Sequence, residues 1–277
     1  MAALEGPIML SPRQITDSWS VLPSFLPLPG MGSLAINAFL LKGSEPLLVD
    51  TGLAALGDDF LECLAQEIDP EDLRWIFLSH TDADHIGNLQ RVMARAPEAR
   101  LVTTFLGLGK MTLLGCAPAA ERVLLLEPGV ALEVGGHRLL PLRPPYYDAP
   151  ETLGFFDAKE RVFFAADSFG ALLPEPAAAL EAVNPDDLRD GLLGWAAIDA
   201  PWLAYADKAA LGRTLAAIDR LDAGTLLSAH LPPGRGGVER LVSLVRDAWS
   251  TGPSHRFDPF TAESLLGGLR QMERASM

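Results

Sequence analysis

Short apolar runs recur along the 277-residue chain, separated by turn-forming residues or by stretches of helical periodicity. "LAINAFLLKGSEPLLVDTG" reads as two strands joined by a Gly-Ser-Glu-Pro turn, since unbroken apolar runs bounded by Gly and Pro suit strands buried on both faces. "DDFLECLAQEI" predicts a helix that "DPED" ends, and "LRWIFLS" a strand. In "HIGNLQRVMARA", Leu89, Val92, Met93 and Ala96 fall at helical spacing, which predicts one helix. "ARLVTTF" reads as a strand, residues 121–143 as short strands about a Gly135-Gly136 turn, and "TLGFFDAKERVFFAAD" as a hairpin. Residues 203–221 predict a helix, "TLLSAH" a strand and "GVERLVSLVRDAW" a helix. The Pro-rich residues 1–33 read as an irregular segment, 34–250 as one α/β domain, and 251–277 as a weakly patterned tail.

Several of these strands stop on a polar residue able to bind metal. "PLLV" ends on Asp50, "WIFLS" on His80, "RVFFAA" on Asp167 and "TLLSA" on His230. A sheet holds its strand ends rigidly, and such ends are where α/β folds place chemistry. The densest stretch is "LSHTDADHIGNL", residues 78–89, with His80, Asp82, Asp84 and His85. His80, Asp82 and Asp84 alternate, so an extended loop turns all three the same way. Imidazole and carboxylate together suit a divalent or trivalent cation. The plainer reading is that Asp82 or Asp84 caps the following helix, but capping explains neither histidine.

Composition narrows the class. Apolar residues make up 49% of the chain, which fits a globular protein, and the net charge is −14, which argues against nucleic acid or an anionic membrane as partner. Two cysteines, Cys63 and Cys116, form no disulfide framework and fit a reducing, cytoplasmic setting. "MAALEGPIML" does not read as a signal peptide, and no apolar run is long enough to span a membrane.

"HTDADH" resembles the His-x-His-x-Asp-His signature of the metallo-β-lactamase fold superfamily, and the resemblance extends over residues 34–245 through "LLVDTG", "DHIG", a downstream Asp and a late His. It implies an α/β fold of the αββα sandwich type, two mixed β-sheets flanked by helices. The second signature His is Asp82 here, and a carboxylate at that place marks the flavodiiron branch. "PPYYDAPETLGFFDAKERVFFAADSFG" is also similar to that branch, whose Asp-x-Phe-Gly motif matches "DSFG". The place of the flavodiiron His ligand falls on Asp148, and "SAHLPP" carries His230 without the Gly that follows in the family.

Position by position, the resemblance implies one ion on His80, Asp82 and Asp148, a second on Asp84 and His230 with or without His85, and Asp167 between them. Asp50 would orient ligands by hydrogen bonds. Such oxygen-rich ligands favour iron, with manganese or zinc as alternatives. Asp is shorter than the residues it replaces, so whether Asp82 and Asp148 both reach one ion is open.

Three functions follow. The first is a diiron protein that binds or reduces dioxygen or nitric oxide. Only about thirty residues follow the last predicted helix, so the electrons are expected from a separate donor. The head-to-tail pairing of flavodiiron relatives suggests a homodimer. The second is a hydrolase of a thioester, lactone or phosphodiester that uses a metal-activated water, which "DTG" and His85 suit. The third is a relic with a degraded site. His85 and Tyr147 are the catalytic candidates; Tyr146 and Tyr147 either pack or donate a hydrogen bond to a bound ligand. Trp195, Trp202 and Tyr205 either cover the pocket or belong to the core. His137, after its Gly-Gly turn, and His255 are expected at the surface, Cys63 in the core, and "GLGK" at 107–110 lacks the spacing of a phosphate loop.

Overall fold

In a computed structural model of the chain, residues 6–28, 31–235 and 237–251 are described. The first sheet contains β1 (Ile8–Met9), β2 (Arg13–Gln14), β3 (Trp19–Leu28), β4 (Gly32–Leu41), β5 (Leu47–Val49), β6 (Trp75–Phe77), β7 (Arg100–Thr103) and β8 (Val123–Leu125). Its main order is β1-β3-β4-β5-β6-β7-β8, with β2 paired to β3. The second sheet contains β9 (Leu132–Val134), β10 (His137–Leu142), β11 (Gly154–Asp157) and β12 (Val162–Phe164). The chain then returns to β4 with β13 (Leu172–Leu173), and the second sheet is completed by β14 (Thr225–Leu227) and β15 (Gly234–Arg235). β12 and β14 pair in parallel and the other neighbours of that sheet are antiparallel.

Helices α1 (Gly57–Ala65), α2 (Ala83–Ile86), α3 (Leu89–Arg95) and α4 (Phe105–Leu113) follow strands of the first sheet; α5 (Pro185–Asp199), α6 (Lys208–Asp219) and α7 (Val238–Thr251) belong with the second. Alternation along the strands sorts the side chains into layers. Leu48 and Ile76 face α1 and α3, packing with Phe60, Leu64 and Val92. Val49, Phe77, Phe155, Phe164 and Leu227 fill the space between the sheets, and Phe163 and Leu226 face Leu188, Leu215 and Val242 of α5, α6 and α7. This is the αββα sandwich expected from the sequence. Because both faces of each sheet are covered, the strands read as continuous apolar runs.

The structure departs from the sequence reading at several places. The N-terminal segment, expected to be irregular, supplies β3, whose ten residues pair along the whole of β4. The helix expected over "HIGNLQRVMARA" is divided between α2 and α3 at Gly87 and Asn88. Gly87 lies so close to the 52–54 segment that a β-carbon there would be 2.3 Å from Ala54 N and from Gly52 O. Phe105 ends no strand but begins α4, capped by the Thr104 side chain, and "GLGK" is part of that helix. The whole of α5 was not foreseen. His137 is not a surface residue: it is 2% exposed, its Nδ1 lies 2.8 Å from Asp157 Oδ2, and Lys159 Nζ lies 3.1 Å from its Nε2. Cys63 is buried as expected, and burial pushes its thiol up to about 12. His255 and the tail lie outside the described residues.

Candidate metal centre

The segments that follow β5, β6, β12 and β14 converge at one edge of the sandwich. Asp50, Ala166 and Phe169 have φ of 58°, 47° and 68°, a region that residues with a side chain seldom adopt. The backbone is thus bent sharply at Asp50 and on both sides of Asp167. Hydrogen bonds hold the bends. Asp50 accepts from Ser79 N and Ser79 Oγ, both at 2.8 Å, and its Oδ2 lies 2.9 Å from His85 Nδ1. The loop carrying His80 and Asp82 is anchored through Thr81, whose hydroxyl donates to buried Glu151, itself paired with Lys110 at 2.6 Å. Ser168 Oγ donates to Tyr146 O and Phe169 N to Tyr146 Oη, which ties the segment preceding Asp148 to the turn of Asp167. His230 Nδ1 lies 2.9 Å from Ala35 O, and Asn37 donates to Ser228 O and Leu231 O on either side of it.

These anchors leave the Nε2 edges of the histidines facing inward. Asp167 is the hub, with Oδ2 at 3.2 Å from His80 Nε2 and Oδ1 at 3.2 Å from His85 Nε2 and 3.4 Å from His230 Nε2. Asp84 Oδ2 is 3.5 Å from both His85 Nε2 and His230 Nε2, and Asp148 Oδ1 is 3.9 Å from His80 Nε2. Ligand atoms lie within 4.8 Å of one another in the sets His80, Asp82, Asp148; His80, His85, Asp167; and Asp84, His85, His230. The structure therefore brings together His80, Asp82, Asp84, His85, Asp148, Asp167 and His230. Asp82 stands at the cap position of α2 but makes no capping hydrogen bond. Tyr147 packs between other partners: Arg143 lies over its ring at 5.5 Å, Trp202 is 5.9 Å from it, and Trp202 Nε1 donates to its carbonyl.

A further carboxylate joins the cluster. Ligand atoms of Asp148, Asp167 and Asp199 lie within 4.8 Å of one another, and Asp199 comes from the C-terminal end of α5. One turn earlier, the Trp195 ring sits 4.9 Å from the His230 ring. A β-carbon on Gly170 would lie 2.4 Å from Trp195 Cδ1, so only glycine lets the indole approach. The i, i+4 spacing of Trp195 and Asp199 was the one sequence signal for this face.

Charge and burial work against each other here. Burial disfavours the imidazolium form of His230, yet Asp167 and Asp84 outweigh it and push the group up to about 9. Burial likewise opposes protonation of His85, but Asp167, Asp84 and Asp50 raise it well above the usual range; His80 is raised by Asp167 and Asp148 against burial and the charge of His85. Burial would raise Asp167, but His80, His85 and His230 hold it well below the usual carboxylate range. Burial, with Asp167 and Asp82 beside it, lifts Asp148 to about 6, and burial with Asp167 lifts Asp199 to about 8. His80 Nε2, His85 Nε2 and Asp167 Oδ1 are buried without a hydrogen bond. Convergent, unbonded imidazole and carboxylate atoms fit metal ions, which would take the place of the protons these histidines attract.

A two-sheet sandwich with a His/Asp cluster at its strand ends is the arrangement of the metallo-β-lactamase fold. Residues 34–230 match the family described as ODP family beta lactamase, and the chain belongs to that family. It is 35% identical over 136 residues to putative diflavin flavoprotein A 1 of Thermosynechococcus vestitus, a match covering 49% of this chain and 24% of that protein. With flavo-diiron protein FprA2 of Clostridium acetobutylicum the identity is 25% over 142 residues, 50% of this chain and 35% of that one. The matches thus take in between a quarter and about a third of these two relatives. The fold is shared with rubredoxin oxygen:oxidoreductase from Desulfovibrio gigas, at TM-score 0.76 and 18% identity, over 88% of this chain and 63% of that one. It is shared also with fragment 1–254 of putative diflavin flavoprotein A 5 from Nostoc sp. PCC 7120, at TM-score 0.72 and 17% identity, over 89% and 97% of the two chains. Among the described residues, no helix is long and apolar enough to cross a membrane.

Proposed function

We propose that this chain is a non-haem diiron protein that binds or reduces dioxygen or nitric oxide with electrons from a separate donor. The observation that carries this reading is the set of buried, unbonded atoms, His80 Nε2, His85 Nε2 and Asp167 Oδ1, ringed by Asp82, Asp84, Asp148 and His230. His80, Asp82 and Asp148 would hold one ion, Asp84, His85 and His230 the other, and Asp167 would serve both. Carboxylate oxygens outnumber imidazoles in this set, which favours iron or manganese over zinc. Bound iron would supply the one-electron chemistry that diatomic gases require. The chain's own residues fix the ligands: Asp50 keeps the His85 proton on Nδ1, Ala35 O does the same for His230, and Trp195 covers the His230 ring.

The relatives' names agree with this reading: one is a flavo-diiron protein, and an anaerobic nitric oxide reductase flavorubredoxin of Pectobacterium carotovorum is 26% identical over 136 residues. The second reading is a hydrolase: His85 Nε2 lies near Asp84, Asp167 and His230, and a third ligand there, which the hydrolytic branches of the superfamily use, would equally serve a metal-activated water.

The deciding experiment expresses the chain with iron, zinc and manganese all supplied, measures the metal content, and then mixes the anaerobically reduced protein with oxygenated buffer in stopped flow. Iron near two per chain, with an oxygen uptake that stops unless a reductant is added, is the expected result. Stoichiometric zinc and a thioester or lactone hydrolysis proportional to metal would establish the hydrolase. Absence of metal from protein never exposed to chelator would leave the relic.

A further inference from the structure

The dinuclear reading leaves one ion poorly served. Two positions that carry longer ligands in the flavodiiron pattern are aspartates here, Asp82 and Asp148, and both are partly open to solvent. An ion on His80 with only these two short carboxylates and a share of Asp167 would be weakly held, because ligand number and geometry decide affinity.

We propose that Asp199 is a further metal ligand, completing with Asp148 and Asp167 the coordination of the ion that His80 binds. The inference rests on the dinuclear reading above. Its first support is position: the ligand atoms of Asp148, Asp167 and Asp199 lie within 4.8 Å of one another. The second is independent of that clustering. His80 Nε2, on a residue 1% exposed, faces Asp167 Oδ2 at 3.2 Å and Asp148 Oδ1 at 3.9 Å without a hydrogen-bond partner, and Asp199 Oδ2 is likewise buried and unbonded. Unanswered polar atoms away from water are costly, and a cation among them is the partner that offsets that cost.

Asp199 is also rigidly delivered. α5 buries Leu188, Leu192 and Ala196 in a cluster shared with β13, α6 and α7, and Gly191 lies so close to β13 that a β-carbon would be 2.3 Å from Leu172 O. Trp195, on the same face one turn earlier, rests on His230. A carboxylate held this way needs no rearrangement to bind. It adds, from a distant segment, a donor beside the short carboxylate at 148.

The charges follow. Asp82, Asp84, Asp148 and Asp167 carry four negative charges, which balance two divalent ions, and Asp199 adds a fifth that favours the trivalent state. Asp199 therefore stabilises the oxidised pair and makes the site harder to reduce.

The test titrates Fe(II) anaerobically into the metal-free full chain, comparing wild type with Asp199→Asn and Asp199→Ala, and follows each by Mössbauer spectroscopy and reductive titration. Wild type is expected to take up two ions. Both variants are expected to bind one of them about 10- to 100-fold more weakly, to shift one of the two Mössbauer doublets, and to have a higher midpoint potential. Their metal-free melting temperatures should not fall, since both variants remove the cost of burying a carboxyl group beside Asp167. Two variants guard against a folding defect peculiar to one. Variants that load both ions with wild-type affinity and unchanged doublets would overturn the role of Asp199 alone. A wild-type chain that takes up no iron would overturn the diiron reading itself.

Discussion

Asp50 Oδ2 lies 2.9 Å from His85 Nδ1, while Nε2 on the opposite edge of the same ring faces Asp167 at 3.2 Å. The carboxylate sets the tautomer: with the proton held at Nδ1, the inward nitrogen keeps a lone pair for a metal. Asp50→Ala is expected to lower metal affinity about 10- to 100-fold, read as metal retained after dialysis. It should also destabilise the fold, because Ser79 N loses its acceptor. Full retention of metal would show that Asp50 serves the fold only.

Asp167 touches His80, His85 and His230, so Asp167→Ala should empty both positions. His85→Ala should remove part of one. Elemental analysis of the two variants checks the order; an Asp167→Ala chain with full metal beside a depleted His85→Ala chain would reverse it.

Metal uptake must displace protons from His230, whose imidazole stands at about 9, and from His85. Apparent affinity should therefore rise with pH and level off above about 9. The metal-free chain should behave oppositely. A histidine raised on folding stabilises below its unfolded value near 6.5 and loses that contribution as pH climbs through the folded value. Asp199, raised to about 8, costs increasing stability as pH rises from the ordinary carboxylate range toward 8. Melting temperatures of the metal-free chain should thus fall between pH 6.5 and 9, and added metal should abolish the fall. A flat metal-free profile would contradict this picture.

Asn37 on β4 donates to Ser228 O and Leu231 O, 3.1 and 2.8 Å away, and holds the turn of His230 against the first sheet. Asn37→Ala leaves two buried carbonyls short of a partner and should cost about 1–3 kcal/mol in chemical denaturation. A larger loss of metal than of stability would show that the turn has moved.

The strand-end rule made Asp50, His80, Asp167 and His230 legible, because a run of apolar residues stopping on a polar one is a local pattern. The N-terminal strand was hidden by Pro23 and Pro27, which argue against a strand interior. β3 accommodates them because short β1 and β2 cover only parts of its outer edge. His137 was misplaced although "HRLLPL" alternates buried and exposed positions, a period that its Gly-Gly turn obscured. Trp195 was left between pocket cover and core, and Asp199 was out of reach, for another reason. α5 carries Gly191 and Gly194 and only a narrow apolar face, so its position follows from packing on β13 and α7 and not from its own periodicity.

The cluster takes His80, Asp84 and His85 from one sheet and Asp167 and His230 from the other, with Asp148 beside them. An ion held by the full proposed set would need both halves of the sandwich closed around it. It would then tie the halves together, and its escape would be timed by their parting. Transfer of bound metal to a chelator should therefore proceed at a rate that stops depending on chelator concentration and follows the opening of the seam, as amide exchange across β4 and β14 would report.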